Sequence, residues 1–396
     1  MIEQIKKTAK ALLPELISIR RHLHRNPELS MKEENTSAFI AAKLEEYGIK
    51  YTRGIAVHGI VALIEGRNPG KHIIALRADM DALPIVEDNK EDYCSAVPSV
   101  MHACGHDVHM TCLLGAAKML QQFRNEFEGT IKLLFQPSEE QFPGGASMMI
   151  REGALKNPEP QQMYGQHVLP SLQAGKIGLK PGKYMASTDE VYLTVKGKGG
   201  HGATPDLNID PVLIAAHILV ALQQIISRDK NPVLPAVLSF GRFIAEGRTN
   251  IIPSEVKMEG TLRTFDEKWR AEAHAKITLM AKGIAESMGA TCEVFIDKGY
   301  PFLVNDAEVT AQTRKAAVEY LGSENVVDLD MRLTAEDFAY YTQLVPSCFY
   351  RLGTGNESKG IVHNLHTPEF DIDEASLETG AGFMAYLALS ALTNHQ

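Results

Sequence analysis

The chain has 396 residues, more than one hydrophobic core usually organises, so two domains are expected. Apolar residues make up 44% and charged residues 22%, the ordinary balance of a globular protein. The net charge of −9 disfavours nucleic acid and an anionic membrane as main partners, because no basic surplus is left to neutralise phosphates.

The first seven residues carry charge where a signal peptide would need its apolar centre. The long apolar stretch 212–226 is broken by His217, Gln223 and Gln224, short of the roughly 18 uninterrupted residues of a membrane span. Five cysteines without framework spacing argue against a disulfide scaffold and for a reducing, cytoplasmic location.

Periodicity predicts an amphipathic helix over 2–25, interrupted at Pro14, and a second helix over about 32–47, closed by Gly48. Strand-like runs follow at 60–64, 72–76 and 131–135. Two of them are nearly continuous apolar runs, the pattern of strands covered on both faces. A helix over 107–123 lies between the second and third, giving a doubly wound α/β part. From about Tyr184 the pattern changes to strand 190–196, helix 210–228, strands 236–245 and 256–264, helix 267–288 and strand 290–297. That order is ferredoxin-like, with helices on one face of an antiparallel sheet. Helices near 307–321 and 373–393 around a strand at 348–352 then resume the first part. The expected domains are 1–183 with 298–396, and an inserted 184–297.

Two clusters carry chemistry. Met101-His102-Ala103-Cys104-Gly105-His106-Asp107 precedes a helix, and a thiolate and an imidazole are good ligands for zinc, manganese or cobalt. Alone, the pair would read as a buried thiol and a capping residue. Gln136-Pro137-Ser138-Glu139-Glu140 directly follows an apolar strand, where active sites of open α/β sheets gather. Adjacent carboxylates point to different sides, so one can bind metal while the other stays free as a base. His167, ending a short strand at 163–167, and His366, in Leu365-His366-Thr367-Pro368, would each be structural in isolation. Taken together, Cys104, His106, Glu140, His167 and His366 make five ligands, too many for one open tetrahedral site and suited to two ions sharing a bridging ligand.

Asp79-Met80-Asp81-Ala82-Leu83-Pro84, the two clusters, Leu365-His366-Thr367-Pro368 and Arg20-Arg21-His22 occur in an order that resembles the aminoacylase/hippurate hydrolase family of dinuclear metallopeptidase-like amidohydrolases. That branch also holds indole-acetyl-amino acid hydrolases and N-acetyldiaminopimelate deacetylases. The resemblance implies a zinc-peptidase-like α/β/α catalytic domain with an inserted ferredoxin-like α+β lid and dimerisation domain. It implies two divalent ions per chain, manganese in first place with zinc, cobalt or nickel as alternatives. Cys104, His106, Glu140, His167 and His366 match the ligands, with Cys104 as the bridge. Glu139 matches the general base on a metal-bridging water, and Asp81 a carboxylate behind the ligands. Where other branches carry a histidine ligand, this chain has Asp79.

Gly199-Gly200-His201-Gly202-Ala203-Thr204-Pro205 resembles the family's lid motif, whose histidine reaches the neighbouring subunit's site and binds the developing oxyanion. Asn250 matches a residue facing that oxygen or the substrate carboxylate, and Arg263 a carboxylate-binding arginine. The implied activity is hydrolysis of the amide bond of small N-acyl amino acids by a homodimer. A dipeptidase or carboxypeptidase, an N-acetyldiaminopimelate deacetylase, and an inactive binding protein for acylated amino acids are the alternatives. A dipeptidase would need an acidic residue for a free amino group, which no residue can be assigned. The inactive binder is disfavoured because Glu139, which binds no metal in this scheme, is present.

Overall fold

In the computed structural model, which describes residues 1–393, an eight-stranded mixed sheet runs in the order Lys50–Ile55, Gly59–Glu65, Thr130–Gln136, Ile73–Asp79, Gln162–Gln173, Ser347–Gly355, Ile177–Leu179 and Val326–Asp328. Its central strands Ile73–Asp79 and Thr130–Gln136 are buried at every position, as their apolar runs require of strands with no solvent face. Lys132 is the exception in chemistry. It is fully buried, its Nζ donates to the carbonyls of Ala154 and Lys156, and burial pushes it down to about 8. Helices Ile2–Arg25, His106–Gln122 and Ser376–Thr393 join this core through Ile5, Leu16, Leu113, Leu120, Phe383 and Leu387.

Three parallel strands bring the chemistry together. Asp79 pairs in register with Gln136, and Arg77 with Gly165, so Asp79, the turn after Gln136, and His167 lie at one level of the sheet. His167 is also the register partner of Arg351 on the parallel strand Ser347–Gly355.

Several elements differ from expectation: the strand expected to end at His167 runs on to Gln173, and strands Ile177–Leu179 and Val326–Asp328 were not foreseen. The first helix runs unbroken through Pro14, because Ile5, Ala9, Leu16, Ile19 and Leu23 are all buried along it. That packing outweighs the ~3 kcal/mol a helical proline costs. Strand Lys50–Ile55 has no apolar alternation to announce it, since this edge strand is exposed along almost its whole length.

This first unit comprises Met1–Tyr184, Val304–Met331 and the residues from Asp337 onward; a second comprises Met185–Leu303 with Arg332–Glu336. The second unit is a four-stranded antiparallel sheet in the order Ala236–Ile244, Glu255–Thr264, Asp189–Lys196 and Thr291–Lys298. Helices Pro211–Gln224 and Glu267–Ser287 complete the ferredoxin-like arrangement. Each starts on an aspartate cap: Asp210 accepts from Val212 and Leu213, Asp266 from Trp269. With its terminal π turn, Pro211–Asp229 is long and apolar enough to cross a membrane by length and composition. Its Ile214, Ile218, Leu222 and Ile225 are instead buried in one core with Val191, Leu193 and Leu262 of the sheet.

Candidate metal centre

Between Met101 and the helix His106–Gln122 the chain turns sharply at Gly105, whose φ of +80° is a left-handed conformation. A Cβ there would also lie 2.5 Å from Val168 Cγ2, so glycine alone fits between Cys104 and His106. The turn places Cys104 Sγ 3.5 Å from His167 Nε2 and 3.4 Å from His366 Nε2. His366 is tied down by its backbone N–H, which donates to Ala103 O over 2.8 Å. Its Nε2 also stands 3.2 Å from Glu140 Oε1.

Three donor groups, each with its ligand atoms within 4.8 Å of one another, share these residues: Cys104, His106 and His167; Cys104, Glu140 and His366; and His106, Glu139 and Glu140. Two donors on one tetrahedral ion with bonds of roughly 2.0–2.3 Å stand roughly 3.2–3.8 Å apart. The contacts around Cys104 have that spacing. All five residues matched to ligands are thus brought together, with Glu139 beside them.

The electrostatics suit a cation. His106 is fully buried, which works against its charge, yet Asp79, Asp81 and Glu140 lift it to about 10. Burial raises the Cys104 thiol well above its ordinary range, and Glu140, Glu139 and Asp79 raise it further. Both shifts report a buried pocket of strongly negative potential. His167 is pushed the other way, by burial and then Arg351, and is neutral. Its Nδ1 donates to Val168 O at 2.8 Å, which leaves the Nε2 lone pair facing Cys104. Among the described residues, His106 Nε2 and Glu140 Oε1 make no well-aligned hydrogen bond, while His106 Nδ1 faces Asp81 Oδ1 at 3.3 Å and Glu140 Oε1 faces His366 Nε2 at 3.2 Å. Buried polar atoms are seldom left so, and an ion would take one nitrogen of His106 and a carboxylate oxygen of Glu140 as ligands. The residues present therefore fit a dinuclear centre.

The carboxylate turn is held from behind. Asp81 accepts the N–H of Glu139 at Oδ1 and of Glu140 at Oδ2, each at 3.0 Å, and Ser30 Oγ donates to it at 2.6 Å. Glu33, also buried, accepts the N–H of Ser138 at 2.7 Å. Burial and the neighbouring Asp81 push Glu33 up to about 7. Arg77 donates to Asp79, to Gln136 and to Asp337, and Asp337 accepts from Gln136 and from the N–H of Ala146. Glu33, Asp337 and His109 had no signal of their own in the sequence. Only the three-residue spacing of His106 and His109 on one helix could have pointed to the last.

The three residues expected on the lid belong to the second unit. His201 pairs with Ile251 on a two-stranded ladder, and the N–H of Gly202 donates to Asn250 O, so His201 and Asn250 adjoin. His201 Nδ1 accepts the N–H of Ala203 at 3.0 Å. Arg263 lies on strand Glu255–Thr264, where its guanidinium contacts Thr261 Oγ1 and, at 3.2 Å, Leu262 O. Burial lowers its pKa, partly offset by Asp189 and Glu190.

An α/β unit with this donor cluster, interrupted by a ferredoxin-like insertion, and relatives named amidohydrolases together mark a metal-binding hydrolase of the amidohydrolase type. The chain belongs to peptidase family M20/M25/M40, whose model it matches over residues 75–390. It is 39% identical over 392 residues to thermostable carboxypeptidase 2 of Saccharolobus solfataricus, covering 98% of both chains. It is 38% identical over 382 residues to N-acetyl-L-cysteine deacetylase of Bacillus subtilis, covering 96% of this chain and 89% of that one. Among solved structures, the Bacillus subtilis YXEP protein, a dinuclear metal binding peptidase of the M20 family, superposes with a TM-score of 0.83 at 35% identity, over 97% of this chain and 99% of that one.

Proposed function

We propose that this chain hydrolyses the amide bond of small N-acyl amino acids, with Cys104, His106, Glu140, His167 and His366 holding two divalent ions and Glu139 as the general base. The observation carrying the reading is the position of Glu139: its carboxylate is within 4.8 Å of donor atoms of His106 and Glu140, while its backbone is fixed on Asp81. When bound, two ions supply Lewis acidity toward the acyl oxygen and lower the pKa of a water. Glu139 takes the proton of the attacking water and returns it to the departing amine. The His201 tautomer supports a role at the oxyanion. With Nδ1 accepting from Ala203, Nε2 is the protonated nitrogen and can donate. Asn250 adjoins it as a second donor, and the guanidinium of Arg263 would fix an α-carboxylate by a charge-assisted bond.

The remaining assignments follow the same reading: manganese as the first-choice metal, a homodimer, and a cytoplasmic enzyme, for which the five free cysteines give support. One relative of nearly equal identity is named a carboxypeptidase and the other a deacetylase, so relatedness alone does not select the substrate. The test is a panel of N-acetyl, N-benzoyl and indole-acyl amino acids beside free dipeptides, assayed with manganese, cobalt and zinc. Turnover of the acylated amino acids above that of dipeptides is expected. Turnover of free dipeptides alone would move the reading to a dipeptidase.

A further inference from the structure

Asp79, His106 and His109 also bring their ligand atoms within 4.8 Å, all three fully buried, and could pass for a further metal site. The hydrogen bonds of His109 argue otherwise. Its Nε2 lies 2.9 Å from the backbone nitrogen of Val168, and its Nδ1 2.5 Å from Asp79 Oδ1. A backbone N–H can only donate, so Nε2 must be the acceptor and carries no proton. The proton is then on Nδ1, where it is given to the Asp79 carboxylate, itself fixed by Arg77 Nη1 at 2.6 Å. One neutral tautomer satisfies every partner, and neither nitrogen keeps a lone pair for an ion.

We propose that His109 is a positioning residue for the metal centre, a strut that holds the backbone of Val168 and thereby aims His167. His167 immediately precedes Val168, and its Nδ1 donates to the carbonyl of the same residue at 2.8 Å. Val168 is thus held at its amide by His109 and at its carbonyl by His167, which leaves the imidazole of His167 little freedom to turn from Cys104. The strut crosses three elements that carry or adjoin donors: strand Ile73–Asp79, helix His106–Gln122 and strand Gln162–Gln173. His109 sits three residues after His106 on one helical face, so the same short segment supplies a donor and the brace for another. Outer hydrogen bonds of this kind set the orientation of a ligating histidine and therefore the affinity of the site. The inference rests on the proposed metal centre, and its test separates the two.

Nitrogen-15 NMR of the full chain labelled at histidine reads each tautomer directly, with His109→Gln assigning the signal. His109 should show a protonated Nδ1 and a bare, hydrogen-bonded Nε2 in the metal-free protein, unchanged when zinc is added. His106, His167 and His366 should each move. Migration of a His109 nitrogen to a metal-bound position, or a protonated Nε2, would overturn the strut. If no histidine responds to zinc, the metal centre fails while the tautomer still decides His109. In chelator competition, His109→Leu should bind zinc about 10–100-fold more weakly. His109→Gln, whose side-chain oxygen can accept from Val168, should recover most of that loss, with the metal-free melting temperature monitoring the fold of both. Wild-type affinity in His109→Leu, or no recovery in His109→Gln, counts against the proposal.

Discussion

His366 Nε2 stands 3.4 Å from Cys104 Sγ across 262 residues of chain. The two donors meet only when the segment after the insertion has returned to the first unit, so a bound ion stabilises the folded state by binding what the unfolded chain cannot assemble. Chelation should abolish activity and lower the melting temperature, and manganese or cobalt should restore both. Metal analysis of the loaded protein should give about two ions per chain. Full activity in protein shown to be metal-free would end the metal assignment.

The neighbours Glu139 and Glu140 should separate by readout. Glu139→Gln should keep both ions and lose about 10²–10⁴-fold in kcat, since the amide cannot carry a proton. Glu140→Gln should lose metal first, with activity partly recovered at high manganese. Near-normal turnover in Glu139→Gln would require the roles to be exchanged.

What the sequence made legible divides along a physical line. Cys104, His106, Glu139 and Glu140 sit in compact segments beside strong apolar patterns, and it is the order of those segments along the chain that carries the family resemblance. The ferredoxin-like order could be read because its strands alternate and its helices open on Asp210 and Asp266. Glu33 and Asp337 could not be read. Each acts by accepting backbone or side-chain hydrogens from segments more than 100 residues away, and nothing local marks such a carboxylate. Strand Lys50–Ile55 was hidden for a different reason: an exposed edge needs no hydrophobic code.

Cys104→Ser should weaken metal binding, because a hydroxyl does not ionise as a thiolate does near neutral pH. Thiol oxidants should attack the metal-free protein faster than the loaded one at this position. Equal rates, followed by mass spectrometry of the Cys104 peptide, would count against Cys104 as a ligand.

Glu87 gives a pH-dependent test of stability away from the donor cluster. Burial alone would raise its pKa, but the His24 hydrogen bond at 3.1 Å and the N–H of Ser95 at 2.7 Å hold it at about 2. A depressed carboxylate stabilises the fold above its unfolded pKa, and the stabilisation is lost as pH falls through the folded value. Glu87→Gln should therefore cost about 1–3 kcal/mol near pH 6. The difference from wild type should shrink from about pH 4.5 downward and vanish only below about pH 2. Denaturation curves across that range check the sign, and a gap that widens on acidification would contradict it.

The assignment of His201 to a neighbouring subunit is open to complementation. His201→Ala and Glu139→Gln should each be nearly inactive. In a randomly exchanged mixture, half the dimers are hybrids and each hybrid has one sound site, so about a quarter of wild-type activity should return. No recovery in a mixture shown by mass spectrometry to contain hybrids would refute action in trans.

The two donor groups that share Cys104 differ in wetness. Cys104, His106 and His167 are all buried, whereas His366 has 53% of its side chain exposed beside a partly exposed Glu140. An ion held by Cys104, His106 and His167 would have to leave past its own ligands, while one held by His366 and Glu140 would have solvent on one side. On the proposed assignment, residence times should differ between the two positions. If ions enter both positions equally fast, the chain holding one ion would prevail at limiting metal supply, and enzyme output would follow the free concentration of the cation rather than the amount of protein.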